Sequence, residues 1–341
     1  MAQPALRFSH RRLLAALALT VTTAITLSAC SSGDSGGQHR PAPAAPDTSR
    51  RTTGVIDTTA AREVVDAYQA ANNAANARQD LKGLARIEAG MAYVQDRSDY
   101  QQWKTWPAKE RTRYASGFRY EQRAYYIPRA GTATWFAMEA TSSDAAKARG
   151  LFVFDRRGGR YKMVTAVYAT GKMPMPKIAV DSHGLATAVD PARKVGALAP
   201  KDLTAAVTDL YVTGGSKQGR QLAPTPASKE AVRLHDDRNR GAKASWRTAS
   251  YFSAQPAHPQ VYSLRTADGG VLALAPGAYT IEYLHTRYLH GGLIIPGPQE
   301  AVYNANHRPV ITDEYQGEAL VALSPTQAKL IARDFRLVDS R

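Results

Sequence analysis

The stretch Gly150-Leu151-Phe152-Val153-Phe154-Asp155-Arg156-Arg157-Gly158-Gly159-Arg160-Tyr161-Lys162-Met163-Val164-Thr165-Ala166-Val167-Tyr168 decides the fold. Gly150 to Asp155 is a β-branched and aromatic run, Arg156 to Gly159 carries turn residues, and Arg160 to Tyr168 returns with the same strand character. The segment therefore reads as an antiparallel hairpin. Its glycines serve the turn, because no helix follows to aim an N-terminus at a phosphate.

Working upstream, Thr132 to Ala140 is another strand run. Before it, Phe118, Tyr120, Ala124 and Tyr126 alternate with Arg119, Glu121, Arg123 and Tyr125, which predicts a strand with one aromatic and one charged face. Val64, Val65, Tyr68 and Ala71 give a helical face from Thr58 to Asn76, and Leu81, Leu84, Ile87 and Met91 give a second over Gln79 to Val94. The first half is thus helices followed by a meander.

Downstream, residues 171–196 are Pro/Gly-punctuated and read as a short strand plus a connection. Ala197-Leu198-Ala199-Pro200 then opens a helix with Leu203, Val207, Leu210 and Tyr211 on one side. Thr208-Asp209-Leu210-Tyr211 echoes Val65-Asp66-Ala67-Tyr68. Strands are expected at Ala244–Ser253, Gln260–Thr266, Val271–Leu274, Ala278–Leu289 after a Pro276-Gly277 turn, and Pro309–Tyr315 or Ala319–Leu323. Ser324-Pro325-Thr326-Gln327 matches a capping box and predicts a closing helix from Pro325 to about Phe335. The fold class is α+β, with two similar domains over 57–190 and 197–341, each placing N-terminal helices on a curved antiparallel sheet. That element order resembles the nuclear-transport-factor-2-like (NTF2-like) and cystatin-like α+β domains, here in tandem. The resemblance implies a sheet curved into a cone around a pocket.

The N-terminus supplies an address. Arg7, Arg11 and Arg12 precede an apolar run, Leu13 to Leu27, that is shorter than the roughly 18–20 residues a bilayer crossing needs. Leu27-Ser28-Ala29-Cys30 closes the run and resembles the lipobox of bacterial lipoproteins. The resemblance implies cleavage between Ala29 and Cys30, acylation of Cys30, and membrane lipid as a partner on the outer face of the cell membrane. Arg11-Arg12-Leu13-Leu14 is an ordinary positive n-region that also resembles a degenerate twin-arginine signal. The precursor as a whole resembles uncharacterised lipoproteins of high-GC Gram-positive bacteria.

Residues 1–29 form the signal peptide and residues 30–56 a Ser/Gly/Pro-rich tether, which spans about 30 Å as a coil and at most about 90 Å stretched. Within it, Gly33-Asp34-Ser35-Gly36-Gly37 resembles the nucleophile motif of trypsin-like proteases. A serine there has no packed scaffold to hold a base beside it, so the match carries no activity. Cys30 is the sole cysteine, so no disulfide forms. Loss of the three leader arginines takes the net charge from +15 to +12.

The basic character favours anionic partners. Trp103, Lys104, Trp106, Arg111, Arg113, Arg119 and Arg123 interleave cations with rings, a composition suited to an anionic cell-wall polymer; the export signal excludes nucleic acid. The alternative is that the rings are core and the cations a solvated face. In the second half, Tyr279, Ile281, Tyr283 and His285 share a strand face, so Tyr283 and His285 are the candidate catalytic pair of a hydrolase or isomerase. A packed histidine is the alternative. His285 and His290 fall on opposite strand faces and no thiol remains, so no metal site is expected; nor is any cofactor motif present. The sequence reads first as a binding or scaffolding lipoprotein for a polymer or small apolar ligand, and second as a cone-fold enzyme.

Overall fold

Asp57 accepts a hydrogen bond from Ala60 N (2.8 Å) and starts helix α1 (Thr58–Asn76), which buries Ala61, Val65, Tyr68 and Ala75 along one face. The computed structural model describes residues 53–144, 148–170, 173–287 and 289–341. Ala29, Cys30, the arginine leader and the tether up to residue 52 lie outside the described residues. Gly54 already bridges to Arg129, and Val55 N donates to Pro128 O (2.9 Å), so the chain joins the fold before residue 56.

The expected helix over Gln79–Val94 is two helices, α2 (Leu81–Ile87) and α3 (Gly90–Gln102). The chain is extended at Glu88. Tyr68 and Asn72 of α1 hold its carboxylate, and Ala89 N donates to Met163 O, so a continuous helix is interrupted by two tertiary demands. A short α4 (Ala108–Ala115) completes the first helical layer.

Strands β1 (Tyr120–Tyr126), β2 (Trp135–Ser142), β3 (Ala148–Arg157) and β4 (Arg160–Thr170) form an antiparallel meander in that order. Gly158 and Gly159 turn β3 into β4 with φ of 59° and 81°, the left-handed pair a two-residue hairpin requires. β1 departs from the expected alternation. A bulge between Glu121 and Ala124 inserts one residue, so Tyr125 packs with Tyr120 and Phe118 under the helices while Tyr126 faces the opposite side.

The second half opens with a 3₁₀ turn (Pro200–Asp202) and α5 (Leu203–Val212). The two-residue β5 (Leu222–Ala223) follows, and then α6 (Pro226–Ala244), a helix absent from the sequence reading. β6 (Arg247–Ser253), β7 (Tyr262–Arg265), β8 (Val271–His285), β9 (Val310–Leu323) and β10 (Ala328–Ser340) then build a sheet in the order β5-β10-β9-β8-β6, with β7 also on β8 and β5 parallel to β10.

Two expectations fail here. Pro276-Gly277 is no turn: β8 runs through it, with Pro276 opposite Glu318 and Gly277 opposite Gly317. Ala278 O accepts from Ala254 N on the β6 side, so two residues earlier the missing Pro276 donor falls on the same edge, in the gap between β7 and β6. The Phe335 ring lies over the glycine pair, where a Cβ on Gly277 would meet it at 2.7 Å. Nor is there a closing helix: Ser324–Gln327 is the β9–β10 turn. Ser324 Oγ accepts from Gln327 N (3.2 Å), as it would at a helix start, but Leu323 and Ala328 pair as strands and the apolar residues beyond have partners in β9.

Four layers result. A cluster including Val65, Tyr68, Phe136 and Phe154 joins the first helices to the first sheet. Trp135, Val153, Val167, Tyr262, Leu274 and Leu320 lie between the two sheets, and Leu203, Tyr211, Tyr279 and Leu330 join the second sheet to α5 and α6. Residues 52–341 are one compact unit.

Candidate functional site

The basic aromatic segment is the first place to look. Trp103, Trp106 and Tyr114 pack on one another with ring centroids 5.4–5.7 Å apart, and Trp106 is buried. Arg111 donates to Trp106 O (2.9 Å) and Arg123 pairs with Asp66 of α1. Lys104, Arg113 and Arg119 are exposed. The rings and the cations therefore separate into an interior cluster and a solvated rim, with Trp103 half-buried between them.

The second sheet presents a different arrangement. The unbroken β8 register puts Tyr279, Ile281, Tyr283 and His285 on the face toward α6, opposite Tyr251, Ala249 and Arg247 of β6 and Tyr315, Asp313 and Ile311 of β9. Tyr211, Tyr279 and Tyr315 stack at 4.9 and 5.1 Å with interplanar angles near 10°. Such offset pairs add about 0.5–1.5 kcal/mol each beyond their burial. Above this stack α6 places Arg238, whose Nη1 donates to Tyr279 Oη (2.7 Å) and whose guanidinium carbon sits 4.3 Å from the Tyr315 ring centroid. Among the described residues no carboxylate lies within ion-pair distance of Arg238.

Beyond the stack the packing loosens. His285 Nδ1 is buried without a hydrogen-bond partner, as are Arg247 Nε opposite it, Arg308 Nε and Asp313 Oδ1. Burial and the nearby Glu300 carboxylate push the Asp313 carboxyl up to about 7. No hydrogen bond joins Tyr283 to His285 among the described residues. A cleft of about 350 Å³ opens beside His285, bordered by Arg287, Gly291, Gly292 and Pro309. Tyr283 and His285 thus share the expected face, without the base–acid contact that would make them a catalytic pair.

Arg238 was not legible as a site residue because α6 was missed, and Tyr251 and Asp313, although on expected strands, had no helix to face. Its signals are present: Thr225 and Ser228 form a capping box with Pro226 at the first helical position, and Ala231, His235, Arg238 and Ala242 recur at helical spacing. His235 is a satisfied structural histidine, its Nδ1 2.8 Å from Tyr211 O and its Nε2 3.0 Å from Asn239 Nδ2.

Three other polar groups are closed. Tyr68 Oη (2.6 Å) and Asn72 Nδ2 (3.0 Å) donate to Glu88 Oε1, and Tyr100 Oη donates to Asn76 Oδ1 (2.7 Å). Burial, with Asp96 adding to it, holds the Glu88 carboxyl well above the usual range; burial and then Asp99 bring Asp96 to about 7. Between the sheets, Tyr262 Oη donates to Asp155 Oδ2 (3.0 Å) beside Arg157 and His258, and burial with Arg157 lowers the His258 pKa. The Gly-rich loop after α5 resembles an anion cradle, yet Asp209 Oδ2 already accepts from Lys217 N and Gly219 N (both 2.9 Å).

Comparison with known proteins now has geometry to rest on. The chain is 34% identical over 307 residues to the uncharacterized lipoprotein SCO6871 of Streptomyces coelicolor, covering 86% of this chain and 83% of that protein. No solved structure matches. The model of the domain of unknown function DUF8094 matches residues 52–341, which are the compact unit described above, and the chain belongs to that family.

Proposed function

We propose that this protein is a lipid-anchored, extracytoplasmic binding protein whose ligand site is the α6-facing side of the second sheet. Its similarity to a lipoprotein over most of both chains supports the reading of Cys30 as the acylated residue. No described helix is long and apolar enough to cross a membrane. The observation that carries the binding reading is the set of unpartnered buried polar atoms on Arg247, His285, Arg308 and Asp313, spread along a tyrosine-lined face from Ile281 to the end of β8. Interiors satisfy such groups almost without exception, and each one left unmade costs about 1–3 kcal/mol. A set of them is suited to a ligand's polar groups. The missing contact between Tyr283 and His285 favours binding over a hydrolase or isomerase.

A second reading, attachment to anionic wall polymer, keeps support from the exposed Lys104, Arg113 and Arg119 in and around α4. It predicts binding that falls steeply with salt. Two measurements test the first reading. Cys30→Ala should release the chain from the membrane fraction, and a thermal-shift screen of small molecules should find stabilisers that Tyr283→Ala abolishes. A membrane-bound Cys30→Ala protein, or no stabiliser among chemically diverse compounds, would contradict it.

A further inference from the structure

We infer that the α6-facing side of the second sheet takes a small organic monocarboxylate, its anionic group met by Arg238 and its body lying against tyrosine rings. The inference rests on the binding reading above and names the ligand's class. Arg238 is the reason for a negative charge. Its side chain is half-buried between α6 and the sheet, stacked on Tyr315 and bonded through Nη1 to a neutral phenol. A guanidinium presents a planar fork of donors, and this one has given a single donor to the protein in any described hydrogen bond. Arg336 pairs with Asp99 and Asp334 and Arg333 with Glu230. Arg238, on the same sheet, has no carboxylate partner among the described residues.

The surroundings favour a single charge. Asp313 is acted on by Glu300 and by the guanidiniums of Arg238 and Arg308, so two acids offset two cations and leave little positive field for a dianion such as a phosphate monoester. The two carboxyls also supply acceptors, and Asp313 Oδ1 is an unused atom for a hydroxyl or amide on the ligand. Tyr251, Tyr283 and Tyr315 make the remaining wall flat and apolar with polar tips, which suits a planar body.

The test uses the full-length acylated chain in detergent and three probes of one shape: benzoate, phenyl phosphate and the neutral benzamide, measured by equilibrium dialysis. Saturable benzoate binding is expected, at least about tenfold tighter than benzamide and phenyl phosphate, and weakened at least about tenfold in Arg238→Gln. Arg238→Lys, which keeps the charge without the planar fork, should bind benzoate between wild type and Arg238→Gln, and thermal unfolding of each variant checks that it folds. Should Arg238→Gln fail to fold, Asp313→Asn serves instead: removing the competing acid should tighten phenyl phosphate and leave benzoate within a few-fold. Equal binding of benzoate and benzamide, or an Arg238→Gln protein that binds benzoate normally, would overturn the inference and leave the binding reading standing. No binding of any probe by the wild-type chain would overturn the inference, and failure of the wider screen as well would remove the binding reading.

Discussion

Tyr68 and Tyr211 occupy equivalent places in the two halves, each on the first helix and each buried against its sheet. Their hydroxyls meet different fates. Tyr68 donates to Glu88 in a network that runs through Asn72 and Asn76 to Tyr100, so the polar groups of the first helical layer largely pair with one another. Tyr211 Oη makes no well-formed hydrogen bond and has only the Arg333 guanidinium beside it, and the second half continues outward into Arg238, Asp313 and His285 with atoms left over. The halves thus differ: in the first helical layer a chain of side-chain hydrogen bonds joins the buried polar groups, and in the second half Arg247, His285 and Asp313 leave unpartnered atoms on one side of the sheet. The first half also holds unpartnered buried atoms, on Glu88, Ser98, Tyr125, Arg157 and Thr165; that of Glu88 lies beside Asp96, and two buried carboxyls can share a proton.

The largest effect should come from truncating the rings that hold each half. Phe154→Ala and Tyr279→Ala should each cost about 3–5 kcal/mol, and the shared layer between the sheets should make either variant unfold in one transition. Chemical denaturation followed by near- and far-UV circular dichroism checks this; two separated transitions would break the picture of halves joined by a common core.

A smaller, more pointed difference is expected of the equivalent tyrosines. Tyr68→Phe leaves Glu88 without its shortest donor and should cost about 1–3 kcal/mol, whereas Tyr211→Phe removes only a poorly formed contact with Arg333 and should cost less than about 1 kcal/mol. Equal costs would remove the contrast between the two halves.

The pH dependence sharpens the same contrast. Burial raises Asp96 and Asp313 to about 7, Glu318 to about 8 and Glu88 well above its usual range. Each folded value lies above the unfolded one, so this stability is fully present below the ordinary carboxyl range and is lost as pH rises through 7 to 8. Thermal unfolding between pH 4.5 and 8.5 should show a loss of about 2–5 kcal/mol in total. Glu88→Gln should flatten that slope, and Asp313→Asn should flatten it less.

What the sequence made legible follows from where local and tertiary forces agree. The hairpin at Gly158-Gly159 and the helix Thr58–Asn76 were readable because propensity, turn chemistry and periodicity point the same way. The closing helix misled because Ser324 caps a turn with the same atoms it would use at a helix start, and only the β9 partner decides between them. Pro276 looked like a chain reversal because its fit to a strand depends on a gap between two neighbouring strands that no local window reveals. Within the candidate site, Tyr283 and His285 were found through strand alternation. Arg238 was not, since its importance rests on lacking a carboxylate, and an absence of contact leaves no trace in sequence.

The central claim is that ligand chemistry belongs to the second half. Hydrogen–deuterium exchange of the full-length chain with and without saturating benzoate tests it most directly. Added protection is predicted in α6, in β8 around Tyr283 and in β9 around Asp313, with the α1–α4 layer unchanged. Protection confined to α1–α4, or no change anywhere, would contradict the account.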